Sequence, residues 1–207
     1  MAFDAQTARA VVHRLREIME ENKEYLIELD GVMGDGDLGL TMRKCFVTAD
    51  DQLSSSEETD VGKFFMKAGM TIAGAAPSTM GTLVGTGFMR GGKAVAGKES
   101  LGSSDLAAFF AAFVQGLMER GKAKPGEKTI IDSLNPVAEA IEGAGDDPAT
   151  ALEAGLEAAQ QGLEATKEMV AQHGRAAYYQ EQSKGRQDPG ATVGVMIVRG
   201  FKEGVTG

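Results

Sequence analysis

Apolar side chains return every three or four residues along almost the whole of this 207-residue chain. This spacing places them on one face of an α-helix, whereas a half-buried strand alternates apolar and polar residues. Eight amphipathic segments follow one another, and most of the connections between them are short. Long amphipathic helices joined by short loops pack side by side in antiparallel order. The sequence therefore predicts an all-α, up-and-down bundle or barrel, formed as a single domain over residues 1–207.

Local signals mark the ends of several predicted helices. Ser103 or Ser104 is expected to cap the fifth helix, and Pro136 is expected to kink the sixth. The fourth helix is rich in glycine, which predicts close approach by a neighbour or a ligand. A strand competes with the eighth helix only over the valine-rich residues 193–198. The predicted helices cover about residues 4–29, 38–53, 61–72, 80–88, 103–117, 130–141, 147–169 and 191–201.

The composition excludes several classes of protein. A formal net charge of −9 argues against nucleic acids and anionic membranes as partners. Cys45 is the only cysteine, which excludes a disulfide framework and a cysteine zinc site, and its helical neighbours predict a buried thiol. There is no apolar run of 18 residues and no basic start followed by an apolar segment. We therefore expect a cytoplasmic protein that binds neither nucleic acid nor membrane.

Three carboxylates fall within eight residues, in the glycine-rich stretch DGVMGDGDLG that begins at Asp30. Asp35 and Asp37 flank one glycine, and Asp30 lies across a flexible turn, so the three can converge on one point. Two carboxylates about 5 Å apart repel by roughly 3 kcal/mol in a protein environment, so a cation is expected among them. Oxygen ligands without cysteine or histidine select Mg²⁺ or Ca²⁺. An EF-hand is excluded, because its twelfth position would be Phe46 or Thr41 instead of glutamate.

Three other loops have the composition of anion-binding segments. Residues 74–81, 124–129 and 174–190 combine glycine with hydroxyl or basic side chains just before a predicted helix, whose free amides attract negative charge. The two histidines, His13 and His173, do not combine with a serine or cysteine into a nucleophilic set. His173 is expected near the end of the seventh helix. The chain thus offers cation and phosphate sites without an obvious nucleophile.

Four motifs in these segments resemble one family. They are LDGVMGDGDLGLTM at 29–42, KAKPGEKT at 122–129, GRAAY at 174–178 and QDPGAT at 187–192. In this order and at comparable spacing they resemble the nucleotide-binding L subunit of dihydroxyacetone kinase, nearly end to end. The resemblance implies an eight-helix antiparallel barrel with the nucleotide site at one end. It also implies that Asp30, Asp35 and Asp37 bind two Mg²⁺ ions that clamp the phosphates of ADP or ATP.

The same resemblance implies roles for the remaining site residues. Arg175 would lie over the phosphates and act in catalysis. Two positions depart from the family, because many relatives have histidine in place of Leu38 and the phosphate loop reads PSTMG instead of a more glycine-rich sequence. The residues implied to contact the nucleotide are Leu38, Gly39, Leu40, Thr41, Ser78, Thr79, Gly121, Thr129, Ile130, Arg175, Asp188, Pro189 and Gly190.

The resemblance also implies partners. The chain would transfer the terminal phosphate of its nucleotide to a ketose bound on a separate sugar-binding K subunit. A phosphohistidine protein of the phosphotransferase system is expected to recharge the bound ADP. The sequence leaves alternatives open: an ATP-dependent subunit with exchanging nucleotide, a related ketose such as erythrulose, or a nucleotide-loaded module that reports to a regulator. It also leaves open whether the chain forms a homodimer.

Overall fold

A computed structural model of the chain describes residues 3–206. Within that range the chain is almost entirely helical, with two short 3₁₀ helices at Thr166–Glu168 and Arg175–Ser183. The ten α-helices of the described range are α1 (Ala5–Glu21), α2 (Lys23–Gly31), α3 (Leu38–Leu53), α4 (Val61–Ala75), α5 (Thr79–Ala94), α6 (Ser103–Gly121), α7 (Ile130–Leu134), α8 (Val137–Gly143), α9 (Pro148–Ala165) and α10 (Pro189–Thr206).

The all-α prediction is confirmed, but the count of eight helices is wrong because two predicted helices are broken. The first is interrupted at Asn22, whose side-chain amide donates to the Ile18 carbonyl at 2.8 Å and so caps α1. The sixth breaks at Pro136, which has no N–H and cannot continue the hydrogen bonds of α7. A kink was expected at Pro136, and the structure has a two-residue interruption there, in which Asn135 and Pro136 keep helical φ and ψ values.

Three smaller predictions also need correction. Neither Ser103 nor Ser104 caps α6, because the cap is Gly102, whose N–H donates to the Asp105 carboxylate at 3.1 Å. Residues 193–198 are helical, so the competing strand is wrong. The seventh predicted helix was too long, because α9 ends at Ala165.

Strand structure in the described range is limited to one short antiparallel pair. Residues Phe3–Asp4 (β1) pair with Ser100–Leu101 (β2), with Phe3 opposite Leu101. This pairing joins residues from opposite ends of the first half of the chain, and periodicity within either segment gives no sign of it. The pair holds the buried Phe3 ring against the helical core.

The core is built around phenylalanine rings from several helices. The ring centroid of Phe65 lies 5.0 Å from that of Phe109 and 5.2 Å from that of Phe201, and Phe88 packs 5.3 Å from Phe113. All five side chains are fully buried. Burying an aromatic ring of this size is among the largest single hydrophobic contributions that a side chain can make. These contacts join α4, α5, α6 and α10 into one core.

Each helix packs against particular neighbours. Contacts link α1 with α3, α3 with α4, α4 with α5, α5 with α6, α6 with α8, α8 with α9, α9 with α10, and α10 with α1. The contact between α4 and α5 is especially close, because a Cβ at Gly69 would lie 2.5 Å from the Gly85 carbonyl oxygen. The glycine-rich fourth predicted helix therefore lies close to a neighbouring helix, which was one of the two predicted alternatives, a neighbour or a ligand. Within residues 3–206, no helix combines the length and apolar composition needed to cross a membrane.

Candidate functional site

One cavity has a volume of about 720 Å³, within the usual range for small-molecule sites. Three long helices begin at its wall, because Leu38, Thr79 and Pro189 are the first residues of α3, α5 and α10. The first turn of each helix carries N–H groups without intrahelical partners and the positive end of the helix dipole. The cavity therefore favours a negatively charged occupant along three sides.

Asp30, Asp35 and Asp37 line this cavity. One carboxylate oxygen from each lies within 4.8 Å of the other two, so the expected convergence is confirmed. The turn wraps around Asp30, whose carboxylate accepts a hydrogen bond from the Gly36 N–H at 2.9 Å. Gly36 adopts a φ of +72°, which glycine tolerates, and a side chain at Gly34 would collide with the Asp30 carboxylate. The glycines of the motif thus allow the three carboxylates to meet.

The cluster carries unbalanced negative charge. Burial raises the pKa of the Asp37 carboxyl, and the charges of Asp35 and Asp30 raise it further. A guanidinium nitrogen of Arg175 lies 2.7 Å from an Asp35 carboxylate oxygen and offsets part of this charge. Arg175 reaches the cluster from the start of the second 3₁₀ helix, just after Gly174 with its φ of +63°. A cationic side chain from a distant part of the chain therefore pairs with one of the three carboxylates.

Hydroxyl-bearing residues from later parts of the chain also line the cavity. Ser78 caps α5, and its Oγ accepts the Gly81 N–H at 2.9 Å. Thr79 is the next residue and also lines the cavity. Thr129 caps α7 in the same way, through a 3.2 Å bond from the Ile131 N–H. These caps fix the entry of each helix and leave its first-turn amides close to the cavity.

Asp188 is a buried carboxylic acid in the cavity wall. Its Oδ2 accepts the Ala191 N–H at 2.7 Å, which caps α10. Burial raises the pKa of this carboxyl to about 7, although the α10 amides and the nearby Lys128 ammonium favour the ionised form. The desolvation cost of the buried charge therefore outweighs both favourable interactions. Pro189 and Gly190 follow in the same wall.

Three residues implied by the resemblance lie outside the cavity wall. Leu40 is 56% exposed on the outer side of α3. Gly39 faces α2, because a side chain there would collide with the Lys23 carbonyl oxygen. Gly121 lines a neighbouring cavity that shares Ser78 and Thr79 with the first. None of the three lines the main cavity, and their assignment to the nucleotide stays a prediction. The other implied residues all line the main cavity.

The structure also brings residues to the cavity that the sequence reading did not single out. Lys128 is buried, and its Nζ donates to three backbone carbonyls. His173 lies in a loop beyond α9, so the prediction that it lies near the end of a helix is wrong. Its Nε2 lies 2.7 Å from the Glu127 carboxylate. The basic composition of residues 124–129 marked this loop, but composition does not show whether a lysine faces an anion or backbone carbonyls.

The donor set fits a hard divalent cation. Three carboxylates converge on one point, and no histidine or cysteine belongs to that group. Mg²⁺ and Ca²⁺ take oxygen ligands of this kind, and Mg²⁺ commonly combines one or two carboxylates with water and the oxygens of a phosphate ligand. Asp35 and Asp37 are exposed to the cavity, so a bound ion would still have room for such a ligand. The arrangement therefore suits a metal-bound polyphosphate.

Comparison with known proteins agrees with this geometry. The model of the DAK2 domain matches residues 32–203, which is most of the chain. The chain belongs to the DAK2 domain family. The predicted resemblance to the L subunit of dihydroxyacetone kinase is thereby confirmed, because that subunit occurs among its relatives.

This DAK2 chain matches two bacterial proteins along most of their length. The chain is 36% identical to the PEP-dependent dihydroxyacetone kinase, ADP-binding subunit DhaL, of Escherichia coli K12, over 86% of this chain and 87% of that protein. It is 35% identical to the corresponding subunit of kinase 1 of Listeria innocua, over 92% of each protein.

A solved structure shares the fold. The dihydroxyacetone kinase of C. freundii, crystallised in complex with AMP-PNP and Mg²⁺, superimposes with a TM-score of 0.71 at 20% identity. The match covers 98% of this chain but only 34% of the C. freundii chain, so the present chain spans about a third of that kinase. At this identity the likeness supports the fold alone.

Proposed function

We propose that this DAK2 chain is the nucleotide-binding subunit of a dihydroxyacetone kinase, and that it passes the terminal phosphate of its nucleotide to a ketose held by a separate sugar-binding subunit. The observation that carries the proposal is the convergence of Asp30, Asp35 and Asp37 at a cavity where three helices begin. The names of the E. coli and L. innocua relatives support the kinase and the bound ADP.

The closed series of helix contacts, from α1 round to α10 and back to α1, supports a barrel. We propose that its nucleotide end is the end at which α3, α5 and α10 begin. Asp30, Asp35 and Asp37 would hold Mg²⁺, two ions by the family resemblance, and the bound metal supplies charge neutralisation and orientation of the phosphates.

The chain's own groups would do the remaining work. Phosphoryl transfer depends mainly on positioning and on stabilising charge at the transferring phosphate, so no protein nucleophile is required. The first-turn amides of α5 and α10 would orient phosphate oxygens, with Ser78 and Thr79 in contact with phosphate at the start of α5, which Ser78 caps. Arg175 would leave Asp35 and place its guanidinium on the terminal phosphate. Leu38, Met80 and Ile130 give the cavity an apolar side suited to a nucleotide base.

We further propose that a phosphohistidine protein of the phosphotransferase system recharges the bound ADP. The relatives covered along most of their length are named as PEP-dependent or PTS-dependent subunits. The erythrulose kinases match at 27%, 28% and 31% identity, below the E. coli and L. innocua kinase 1 subunits, and over about a third of their own length. These likenesses favour dihydroxyacetone over erythrulose and the phosphotransferase route over ATP exchange. The ATP-dependent route remains the second candidate.

One experiment separates these routes. Freshly purified protein is denatured, and the released nucleotide is identified and quantified by chromatography. We expect one ADP per chain, which would support the phosphotransferase route. An empty site that binds and exchanges Mg-ATP would support an ATP-dependent subunit instead, and a chain that neither carries nor binds nucleotide would overturn the proposal.

Matched variants connect the bound nucleotide with the Asp cluster. Asp35→Asn should release nucleotide during purification, because loss of a direct ligand should weaken metal affinity by at least about 100-fold, more than loss of a supporting residue. Asp146→Asn changes an exposed aspartate outside the cavity and should retain nucleotide like the wild type.

A further inference from the structure

Lys128 occupies an unusual position for a lysine in the wall of an anion-binding cavity. Its side chain is buried, and its backbone adopts a φ of +61°, which few residues other than glycine, asparagine and aspartate adopt. Its ammonium donates to the carbonyl oxygens of Thr166 at 2.6 Å, Arg186 at 2.6 Å and Met169 at 3.3 Å. An ammonium has three donors, and all three are used by backbone. Lys128 therefore has no donor left for a phosphate.

The three carbonyls flank one segment, residues 169–185, which we name the arginine loop because it carries Arg175. Met169 is its first residue, Thr166 lies three residues before it, and Arg186 lies immediately after its end. A backbone bond from the Gly185 N–H to the Lys167 carbonyl, 2.7 Å long, joins the same two ends. Lys128 thus pins both ends of the arginine loop with one charged group.

Few other contacts hold the loop in place. Ser183 accepts the Ala171 N–H at 2.9 Å inside the loop. The Gln172 N–H donates to the Glu127 carbonyl at 3.2 Å, next to Lys128 in the chain. Tyr178, within the loop, is 88% exposed and contributes little to packing. His173 Nε2 also lies 2.7 Å from the Glu127 carboxylate. Polar contacts, mostly near the loop ends, therefore hold the loop that carries Arg175.

We propose that Lys128 is a positioning residue of the nucleotide site, because its ammonium fixes the arginine loop and thereby holds Arg175 over Asp30, Asp35 and Asp37. The inference rests on the proposed nucleotide-binding function. Burial lowers the pKa of the Lys128 ammonium, and the nearby carboxylates of Asp188, Asp132 and Glu168 oppose this shift by favouring its charged state. A charged donor to three carbonyls binds more strongly than a neutral one, which suits an anchor for a loop without a core of its own.

Limited proteolysis tests the anchoring directly in protein freed of metal and nucleotide. Trypsin cleaves after Arg175 and Lys184, both in the arginine loop. Lys128→Met keeps the length of the side chain but removes all three hydrogen bonds, and we expect loop cleavage to become about tenfold faster or more. Lys124→Met, an exposed lysine of the same preceding loop, is the control and should be cleaved like the wild type. Equal rates in wild type and Lys128→Met would overturn the role of Lys128.

A double-mutant cycle tests whether the anchoring serves Arg175. Lys128→Met should weaken Mg-ADP binding by about tenfold in the wild-type chain, and by much less in a chain that already carries Arg175→Gln. A direct phosphate contact from Lys128 would instead give full, additive losses and overturn the proposal. Lys128→Arg keeps the charge and should restore part of the affinity. A general loss of stability would not depend on residue 175.

Failure of the proposed function and failure of the Lys128 anchor give different results. A wild-type chain that binds neither ADP nor ATP would overturn the proposed function, whereas the proteolysis comparison uses nucleotide-free protein and reports on the anchor alone. Lys128→Gln can still donate one hydrogen bond, so it replaces Lys128→Met where the methionine variant does not fold. Failure of both variants to fold would show that Lys128 serves the fold itself and would overturn its assignment as a positioning residue.

Discussion

A guanidinium nitrogen of Arg175 and a carboxylate oxygen of Asp35 lie 2.7 Å apart in the wall of the cavity and form an ion pair. The two residues are roughly 140 positions apart in the sequence. Both side chains are substantially exposed, 66% for the arginine and 42% for the aspartate. Exposed pairs of this kind contribute about 0–1 kcal/mol to stability, so the pair can open at little cost. The same contact shows that the guanidinium can reach the position where the carboxylates would hold a metal-bound phosphate. The pair is therefore better suited to exchanging partners than to stabilising the fold.

Arg175→Gln should weaken Mg-ADP binding by about 10- to 100-fold, which corresponds to the loss of a charge-assisted hydrogen bond. The loss should grow from AMP to ADP to ATP, because the guanidinium is placed to contact the outer phosphates. Isothermal titration with the three nucleotides measures this dependence. Arg43→Gln removes a surface arginine that pairs with Glu20 and should leave all three affinities unchanged. An equal loss for AMP and ATP would contradict a phosphate contact.

Asp37→Asn should have opposite effects on stability with and without metal. In EDTA the variant should be slightly more stable than the wild type, because burial and the charges of Asp35 and Asp30 disfavour an ionised Asp37. Screening by water limits this gain to less than about 1 kcal/mol, or roughly 2 °C in melting temperature. With Mg²⁺ and ADP the wild type should be more stable, because ligand binding stabilises only the chain that binds. Thermal unfolding under both conditions measures the difference.

A lower melting temperature of Asp37→Asn in EDTA would contradict this account, because it would mean that the carboxylate is needed by the apo fold. Asp146→Asn provides the baseline for removing one exposed aspartate elsewhere in the chain.

The local sequence was sufficient to predict most of the helices and the convergence of the three carboxylates. Both depend on short-range rules: the periodicity of apolar residues, and the freedom of glycine within the turn around Asp30. The breaks at Asn22 and Pro136 also have local causes. How far the chain changes direction at each break depends on how the two helix segments pack against neighbouring helices. Pro136 could have kinked the helix or ended it, and the sequence does not distinguish the two.

Short-range rules do not predict contacts between residues that are far apart in the sequence. Lys128 belongs to a basic, glycine-containing loop that predicts anion binding, and only the fold shows that its ammonium faces the carbonyls of Thr166 and Arg186. The pairing of Phe3 with Leu101 is hidden for the same reason. The family resemblance supplied most of the residues that line the cavity, whereas Leu40, which it implies beside the nucleotide, is exposed and does not line the cavity.

Gly69→Ala should destabilise the protein by about 1–3 kcal/mol, the usual cost of overpacking. The new methyl group would lie 2.5 Å from the Gly85 carbonyl oxygen and 2.7 Å from the Met89 backbone nitrogen, so α4 and α5 would have to separate. Gly74→Ala in the same helix is the matched control, because no atom lies within 4 Å of its new Cβ. The control should be neutral or stabilising by about 0.5 kcal/mol. Urea unfolding gives both values, and equal effects would contradict the close helix contact.

Asp188→Asn should remove part of the pH dependence of stability. Burial raises the pKa of Asp188 from 3.8 to about 7 in the folded chain, whereas an unfolded aspartate has a pKa of about 3.9. Between about pH 4 and 7 the folded state therefore binds more protons than the unfolded state. The free energy of unfolding should fall as pH rises through this window, by on the order of 1 kcal/mol per pH unit, and become level above it.

Asparagine at 188 cannot ionise, but it still accepts the Ala191 N–H and is as good a helix cap as aspartate. Urea unfolding at several pH values in EDTA should therefore show a shallower slope for Asp188→Asn, with the two curves converging at low pH. Other groups that titrate in this range are common to both chains and cancel in the comparison. A slope equal to that of the wild type would mean that Asp188 stays ionised throughout, and that the Lys128 ammonium and the α10 amides outweigh burial.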